Sequence, residues 1–275
     1  MRRVTEGRSR LFEQTSVPAA YARFMGTQLF GPWARELVGR AGVPVGASVL
    51  DVACGPGTVT RVAAAAAGAG GRVRGSDISA PMLAVASSVA AEPGAAQVEY
   101  VEGSATSLGF PGESFDIVLC QQGLQFFDDR AAAVREFRRV LKPGGIAAAS
   151  VWAAERPLGL FGAIGATLRE YGLAEPYPRA FDAASYALPA DQLRELLGSG
   201  GFSDVSVETV ELDCVWETAD DAIATISGTP FGPLVAALPV ADQDAVRASL
   251  AERLGCNVPG QVTIRTAANI ARGVA

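Results

Sequence analysis

Apolar positions change their period near residue 45. Before it, Val17, Tyr21, Phe24 and Met25 recur at helical spacing. Trp33, Leu37, Val38 and Ala41 do so again behind Pro32, a natural first-turn residue. After it, short apolar runs alternate with helical stripes. The pattern predicts strands over 47–52, 72–76, 97–101, 115–121 and 146–151, with helices over 58–67, 79–91 and 128–141 between them. The last helix carries Val134, Phe137, Val140 and Leu141 on one stripe, with Gly144 and Gly145 as its stop. Such alternation builds βαβ units with right-handed crossovers, and so an α/β fold with a doubly wound parallel sheet.

Past Trp152 the rhythm breaks. Leu160, Phe161, Ile164 and Leu168 suggest a helix within 157–173, and Tyr171, Tyr177, Phe181 and Tyr186 cluster in a Pro-containing stretch. A helix over 189–197 stopped by Gly198, an alternating strand over 205–212, a helix over 242–254 and a strand over 262–270 follow. No repeat or low-complexity linker intervenes. The expected organisation is one domain over 1–275: an N-terminal helical cap (1–43), a core (44–152), a helical lid insertion (153–187) and a return to the core (188–275).

Composition narrows the chemistry. With 275 residues, 49% apolar and 19% charged, the chain can bury a core without metal or disulfide staples. Its net charge of −6 repels phosphate backbones, so no nucleic-acid partner is expected. Histidine is absent, which removes imidazole bases, Ser–His and Cys–His nucleophiles and histidine metal sites. Cys54, Cys120, Cys214 and Cys256 form no C-x-x-C pair and read as buried reduced thiols in a cytoplasmic protein, with no metal. The apolar runs 62–67 and 146–151 are far short of a bilayer span, and none follows Arg2 and Arg3 to suggest a signal peptide. A monomer or homodimer is expected.

The chemistry is concentrated in Val49-Leu50-Asp51-Val52-Ala53-Cys54-Gly55-Pro56-Gly57-Thr58, a strand running through a Gly-x-Gly turn into a helix. Gly55 and Gly57 leave room for a ligand beside the backbone, and the turn offers N–H groups and the positive end of a helix. Asp77 ends the next strand, where a carboxylate can accept from both hydroxyls of an adenosine ribose. These features fit either a nicotinamide dinucleotide or S-adenosylmethionine. Two details separate them. The dinucleotide fingerprint wants Gly or Ala at position 60, where this chain has Thr60, and Asp51 suits a ligand ammonium, which a pyrophosphate lacks.

With LDVACGPG (50–57), GSDIS (75–79), GSATSLGFPGESFDIVLCQQGLQFF (103–127), REFRRVLKPGG (135–145) and FGPWARELV (30–38) in order, the sequence resembles the class I S-adenosylmethionine-dependent methyltransferases, in the bacterial branch of the ubiquinone/menaquinone C-methyltransferases. The resemblance implies a Rossmann-like seven-stranded sheet with a reversed last strand. It implies that Gly55 and Gly57, with Ala53, cradle the methionine part of the cofactor and that Asp51 approaches its amino group. By the same resemblance Asp77 grips the ribose, Ile78 and Met82 pack on adenine, Ser104 and Ala105 face the adenine edge, and Gln121 lies beside the methyl group. Many relatives have Asp where this chain has Ser104, which implies a weaker grip on the adenine amino group.

Plainer readings stand beside these. Asp51 could satisfy turn amides, Ile78 and Met82 could be core, and Gln121, Gln122 and Gln125 could cap element ends. Arg135, Arg138, Arg139 and Lys142 read as helix-end cations rather than an anion patch, and Asp128 and Asp129 as an N-cap. No catalytic residue is assigned, because a sulfonium brings its own leaving group and alignment does most of the work. Tyr21, Phe24, Phe30, Trp33, Trp152, Phe161, Tyr171 and Tyr177 supply aromatic walls, with Gln122 among the substrate-binding candidates, for a hydrophobic acceptor such as a quinone-like or natural-product ring methylated on carbon or oxygen. The rival functions are a methyltransferase-like protein that keeps the cofactor structurally while cyclising or binding a ligand, and a nicotinamide-dependent oxidoreductase.

Overall fold

A computed structural model describes residues 16–174, 186–256 and 260–275 of the chain. Helix α1 (Ser16–Met25) passes through one π-helical turn, Gly26–Phe30, into α2 (Gly31–Ala41). Gly31 makes that junction possible, because a Cβ there would lie 3.1 Å from the carbonyl oxygen of Gly26. Then come β1 (Ser48–Val52), α3 (Thr58–Ala67), β2 (Arg72–Asp77), α4 (Ala80–Ser88), β3 (Gln97–Glu102), β4 (Phe115–Gln121), α5 (Arg130–Val140) and β5 (Leu141–Ala153). The rest comprises α6 (Leu160–Glu170), β6 (Ala187–Leu188), α7 (Ala190–Ser199), β7 (Ser203–Trp216), α8 (Ala219–Ala224), α9 (Gly232–Ala236), α10 (Val240–Leu254) and β8 (Val262–Val274).

The sheet runs β3-β2-β1-β4-β5-β8-β7. Strands β1 to β5 pair in parallel, and β8 lies antiparallel to both β5 and β7, so the last strand is the reversed one. An eighth, two-residue strand, β6, adds to the end of β5. Because side chains alternate along a strand, Val49, Ile117, Leu119 and Ala148 face a core with α2, α3, α6 and α10. Their neighbours Leu50, Val118, Cys120, Ala147 and Ala149 face a second core with α5 and α7. Near-continuous apolar strands are what burial on both faces requires.

Three local expectations change. Helix α4 ends at Ser88 rather than near 91, because residues 87–94 are exposed and a further turn would bury nothing. Gly144 and Gly145 do not stop α5, since β5 begins directly at Leu141. They serve the irregular start of β5, where Gly144 has φ +77° and a Cβ on Gly145 would lie 2.9 Å from the carbonyl oxygen of Lys142. The pattern also did not announce α8, α9 and the 3₁₀ turn Thr225–Gly228 that packs on α1, where Gly228 approaches the Tyr21 backbone too closely for a side chain. Among the described residues no helix is long and apolar enough to cross a membrane.

The chain winds outward from β1 to β3, then returns to β4 on the other side of β1. Strand order therefore reverses between β1 and β4, and loops at their carboxyl ends part to leave a crevice.

Candidate active site

That crevice is a cavity of about 290 Å³. Ala53, Gly55, Asp77, Ile78, Met82, Ser104, Ala105 and Gln121 line it, joined by Tyr21, Phe30, Gln122, Gly123, Phe126, Phe127, Asp128, Trp152 and Tyr186. Ala53 follows β1 with φ +58° and Gln122 follows β4 with φ +54°. Two non-glycine residues in the left-handed region at one cavity mark a strained strand-end site. Gly123 lets them meet, because a Cβ there would lie 2.7 Å from Cβ of Ala53.

The two glycines of the turn have different jobs. A Cβ at Gly55 would meet nothing within 4 Å, so Gly55 presents bare backbone to open space. Gly57 does not line the cavity. It begins α3 at φ +80°, and a Cβ there would collide with the Tyr100 hydroxyl and lie 2.9 Å from Nη1 of Arg61. Its glycine is required by the turn and its neighbours rather than by a ligand, which corrects the expectation of two cradle glycines.

Asp77 accepts from the Gly55 N–H at 2.8 Å and from the Ser79 N–H at 2.9 Å, one on each carboxylate oxygen. Each oxygen keeps a lone pair for a ligand. Burial pushes its carboxyl above the usual range, and the backbone hydrogen bonds oppose this. Asp51 lies beneath the turn, 1% exposed and outside the cavity lining. Oδ2 accepts from the Thr60 hydroxyl at 2.6 Å, while Oδ1 is buried with no partner. Burial pushes its carboxyl up to about 7; the Thr60 hydroxyl holds it down and the nearby Asp77 charge raises it. Thr60 therefore supports the carboxylate, a role that its departure from the dinucleotide pattern did not convey.

The amide that Gly55 offers is taken by Asp77, and that of Gly57 bonds the carbonyl of Cys54 at 2.9 Å. The turn thus presents carboxylates where a pyrophosphate needs free N–H donors. Asp77, with acceptor capacity left on both oxygens, and the bare backbone of Gly55 suit a ligand that carries hydroxyls and approaches the chain closely, while Oδ1 of Asp51 stays buried without a partner. Ile78, 62% exposed despite its apolar side chain, and buried Met82 add apolar surface to the lining. Ser104 turns its hydroxyl to Thr106, with 2.9 Å between their oxygens, so its grip on a ring edge is shared with its own loop.

Much of the remaining wall is aromatic. Tyr21 stacks on Phe30 at 5.0 Å and 14°, Phe30 tilts against Trp152 at 6.3 Å, and Phe126 meets Tyr186 edge-on at 5.0 Å. Gln121 ties this wall to the strand end, its Nε2 donating to the Phe30 carbonyl at 3.1 Å. Burial raises the phenols of Tyr21 and Tyr186 above their ordinary value, so both stay protonated at neutral pH.

Several aromatic expectations fail. Trp33 is fully buried, donates from Nε1 to Thr266 Oγ1 at 3.0 Å and backs Trp152 edge-on, so it is core. Phe161 packs behind Trp152 and Tyr186 without reaching the cavity, and Phe24 is not among the lining residues. Tyr171 donates to the Ala245 carbonyl on α10. Tyr177 lies outside the described residues. Phe126, Phe127, Asp128 and Tyr186 line the cavity instead, and only the apolar run after Gln125 hinted at the first two. The cations act structurally: Arg139 pairs with Glu136, Lys142 with Asp116, and Arg138 reaches the Gly201 carbonyl. Asp129 caps Ala132.

The comparisons with known proteins bear on this geometry. A family model described as a methyltransferase domain matches residues 50–149. The demethylmenaquinone methyltransferase of Geobacillus stearothermophilus is 32% identical over 191 residues, covering 64% of this chain and 79% of that protein. The chain belongs to the class I S-adenosylmethionine-dependent methyltransferases. The ubiquinone/menaquinone biosynthesis C-methyltransferase of Hahella chejuensis is 40% identical over 114 residues, 41% of this chain and 46% of that one. The chain thus matches about half the length of the first of these methyltransferase relatives. The solved YcgJ protein of Bacillus subtilis shares the fold, with a TM-score of 0.56 at 21% identity, covering 88% of this chain and 98% of that one. The matched residues 50–149 run from the Asp51 turn through Gln121 and Gln122, and so include the cavity residues contributed by β1, β2 and β4 and the loops that follow them.

Proposed function

We propose that this methyltransferase moves the methyl group of S-adenosylmethionine onto a hydrophobic, planar small molecule, the whole chain working as one unit. The observation that carries the reading is the shared lining of a single cavity, in which Gly55, Asp77, Ile78 and Met82 stand together with the aromatic Tyr21, Phe30, Trp152 and Phe126. The quinone-methylating relatives support an acceptor of that kind.

Bound there, S-adenosylmethionine supplies a sulfonium methyl: the acceptor's electron pair bonds the methyl carbon as the carbon–sulfur bond breaks, leaving a neutral thioether. The chain's residues hold and orient. Asp51 would take the ammonium on Oδ1, Asp77 the ribose hydroxyls, and Ile78 and Met82 the faces of the adenine, with Ser104 and Ala105 at its edge. Gln121, fixed on Phe30, would mark the boundary between cofactor and acceptor. Tyr21, Phe30 and Trp152 exclude water and stack the acceptor, and positioning of that kind accounts for up to about 7–11 kcal/mol of a barrier. Tyr21 and Tyr186 keep their protons at neutral pH, and Asp128 is an exposed acidic side chain at the cavity. The acceptor's proton would leave to water past Asp128, or before the acceptor binds.

The test incubates the protein with methyl-labelled cofactor and a panel of quinols, phenols and enolic polyketides. Label in the acceptor supports the reading. Conversion of an acceptor without label supports a cofactor retained for another reaction.

A further inference from the structure

Among the described residues eight buried side-chain polar atoms lack a partner, and five belong to Asp51, Gln121, Gln122, Gln125 and Ser150, at the carboxyl ends of β1, β4 and β5. Two of the five, Gln121 and Gln122, line the cavity, and because buried polar atoms are nearly always satisfied, these exceptions point to a ligand that completes them. Asp51 is accounted for by the cofactor. The amide cluster after β4 is not.

Gln122 is its centre. The residue is 7% exposed and lines the cavity. Its backbone is pinned in the left-handed region by its N–H, which donates to the Ser150 carbonyl at 2.8 Å. Its Oε1 accepts from Nε2 of fully buried Gln125 at 3.0 Å, which leaves Nε2 of Gln122 as its one unpartnered polar atom. The Gln125 carbonyl in turn accepts from Arg130 at 2.7 Å, so the support is itself braced. A fixed N–H donor at an aromatic-walled cavity recognises an acceptor of hydrogen bonds. An ionised oxygen on a flat ring meets both conditions, and a protonated amine meets neither.

We infer that Gln122 selects the acceptor, its carboxamide N–H holding the phenolate or enolate oxygen of a planar ring against Phe126, Tyr186 and Trp152. The inference rests on the methyl-transfer reading and assigns to Gln122 the recognition of the acceptor's oxygen. Gln125 is a positioning residue.

The test titrates 2-naphthol and 2-fluoronaphthalene, probes of one shape with and without the oxygen, with and without saturating S-adenosylhomocysteine. The wild type should bind 2-naphthol about 3–10-fold more tightly, the equivalent of one net hydrogen bond. Gln122→Met should bring the ratio close to one with unchanged affinity for S-adenosylhomocysteine. Gln122→Leu, which likewise lacks the donor, should have the same effect and serves if the Met variant does not fold. Equal affinities in the wild type, or a ratio unmoved by either variant, overturn the assignment. Absence of S-adenosylhomocysteine binding in the wild type sinks the methyl-transfer reading instead, and is recorded in a separate titration.

Discussion

The Thr60 hydroxyl donates to Oδ2 of Asp51 at 2.6 Å, and both groups are almost wholly buried at the end of β1. The bond satisfies one oxygen of a carboxylate whose other oxygen has no partner, so without its ligand the site holds a costly group. Asp51 titrates near 7 in the fold against an ordinary 3.8. Between those values the native chain binds more protons than the unfolded one, so the stability it contributes is complete below about pH 4 and is lost as pH rises through 7. Thermal melts of the ligand-free protein should therefore show Asp51→Asn more stable than wild type at pH 8, with the gap closing at pH 5. A wild type no less stable than the variant at pH 8 contradicts this.

Binding of the ammonium reverses the balance. Pairing favours the ionised carboxylate, so cofactor binding near pH 7 should release a fraction of a proton from Asp51. Calorimetry of S-adenosylhomocysteine in buffers of different ionisation heat reads this directly. Asp51→Asn should abolish the buffer dependence and weaken binding about 10–100-fold, as expected for a lost hydrogen bond to a charged group.

The two glycines should separate. Gly57→Ala places a methyl against the Tyr100 hydroxyl in a left-handed residue, so it should lower the melting temperature well beyond Gly55→Ala. Gly55→Ala pays only the backbone strain, about 1 kcal/mol, but its methyl projects into open space beside the cavity. Its main effect should be on cofactor affinity. Equal effects of the two variants on stability would contradict the division.

Much of this was legible in the residues. Alternation of period 2 and 3.6 over 47–151 identified the doubly wound sheet, because buried parallel strands must be apolar throughout while covering helices need one stripe. The placement of Asp51, Gly55 and Asp77 at adjoining strand ends was legible too, because it is dictated by local chain order. The aromatic part of the cavity wall was far less legible. Trp33 and Phe126 look alike in a pattern of aromatic residues; only tertiary packing puts Trp33 behind Trp152 and Phe126 at the cavity wall. The same holds for Gln122, whose value as a donor depends on Gln125 occupying its other amide atom.

Trp33 and Phe30 provide the matching contrast. Trp33→Phe removes the bond to Thr266 and leaves that hydroxyl's other contacts, Cys214 and the Leu212 carbonyl, in place. It should cost about 1 kcal/mol of stability with acceptor binding intact. Phe30→Ala removes a cavity wall and the stacking partner of Tyr21, so acceptor binding should fall about tenfold or more, beyond any change in cofactor affinity. Paired denaturant melts and binding titrations check both.

The central claim is that Asp51, Gly55 and Asp77 together bind the amino-acid-bearing nucleoside, and calorimetry with S-adenosylhomocysteine tests it most directly. Saturable one-site binding to the wild type, weakened by Asp77→Asn as well as by Asp51→Asn, is the predicted result. A folded wild type that gives no heat with S-adenosylhomocysteine, or that binds it equally well without both carboxylates, contradicts the account.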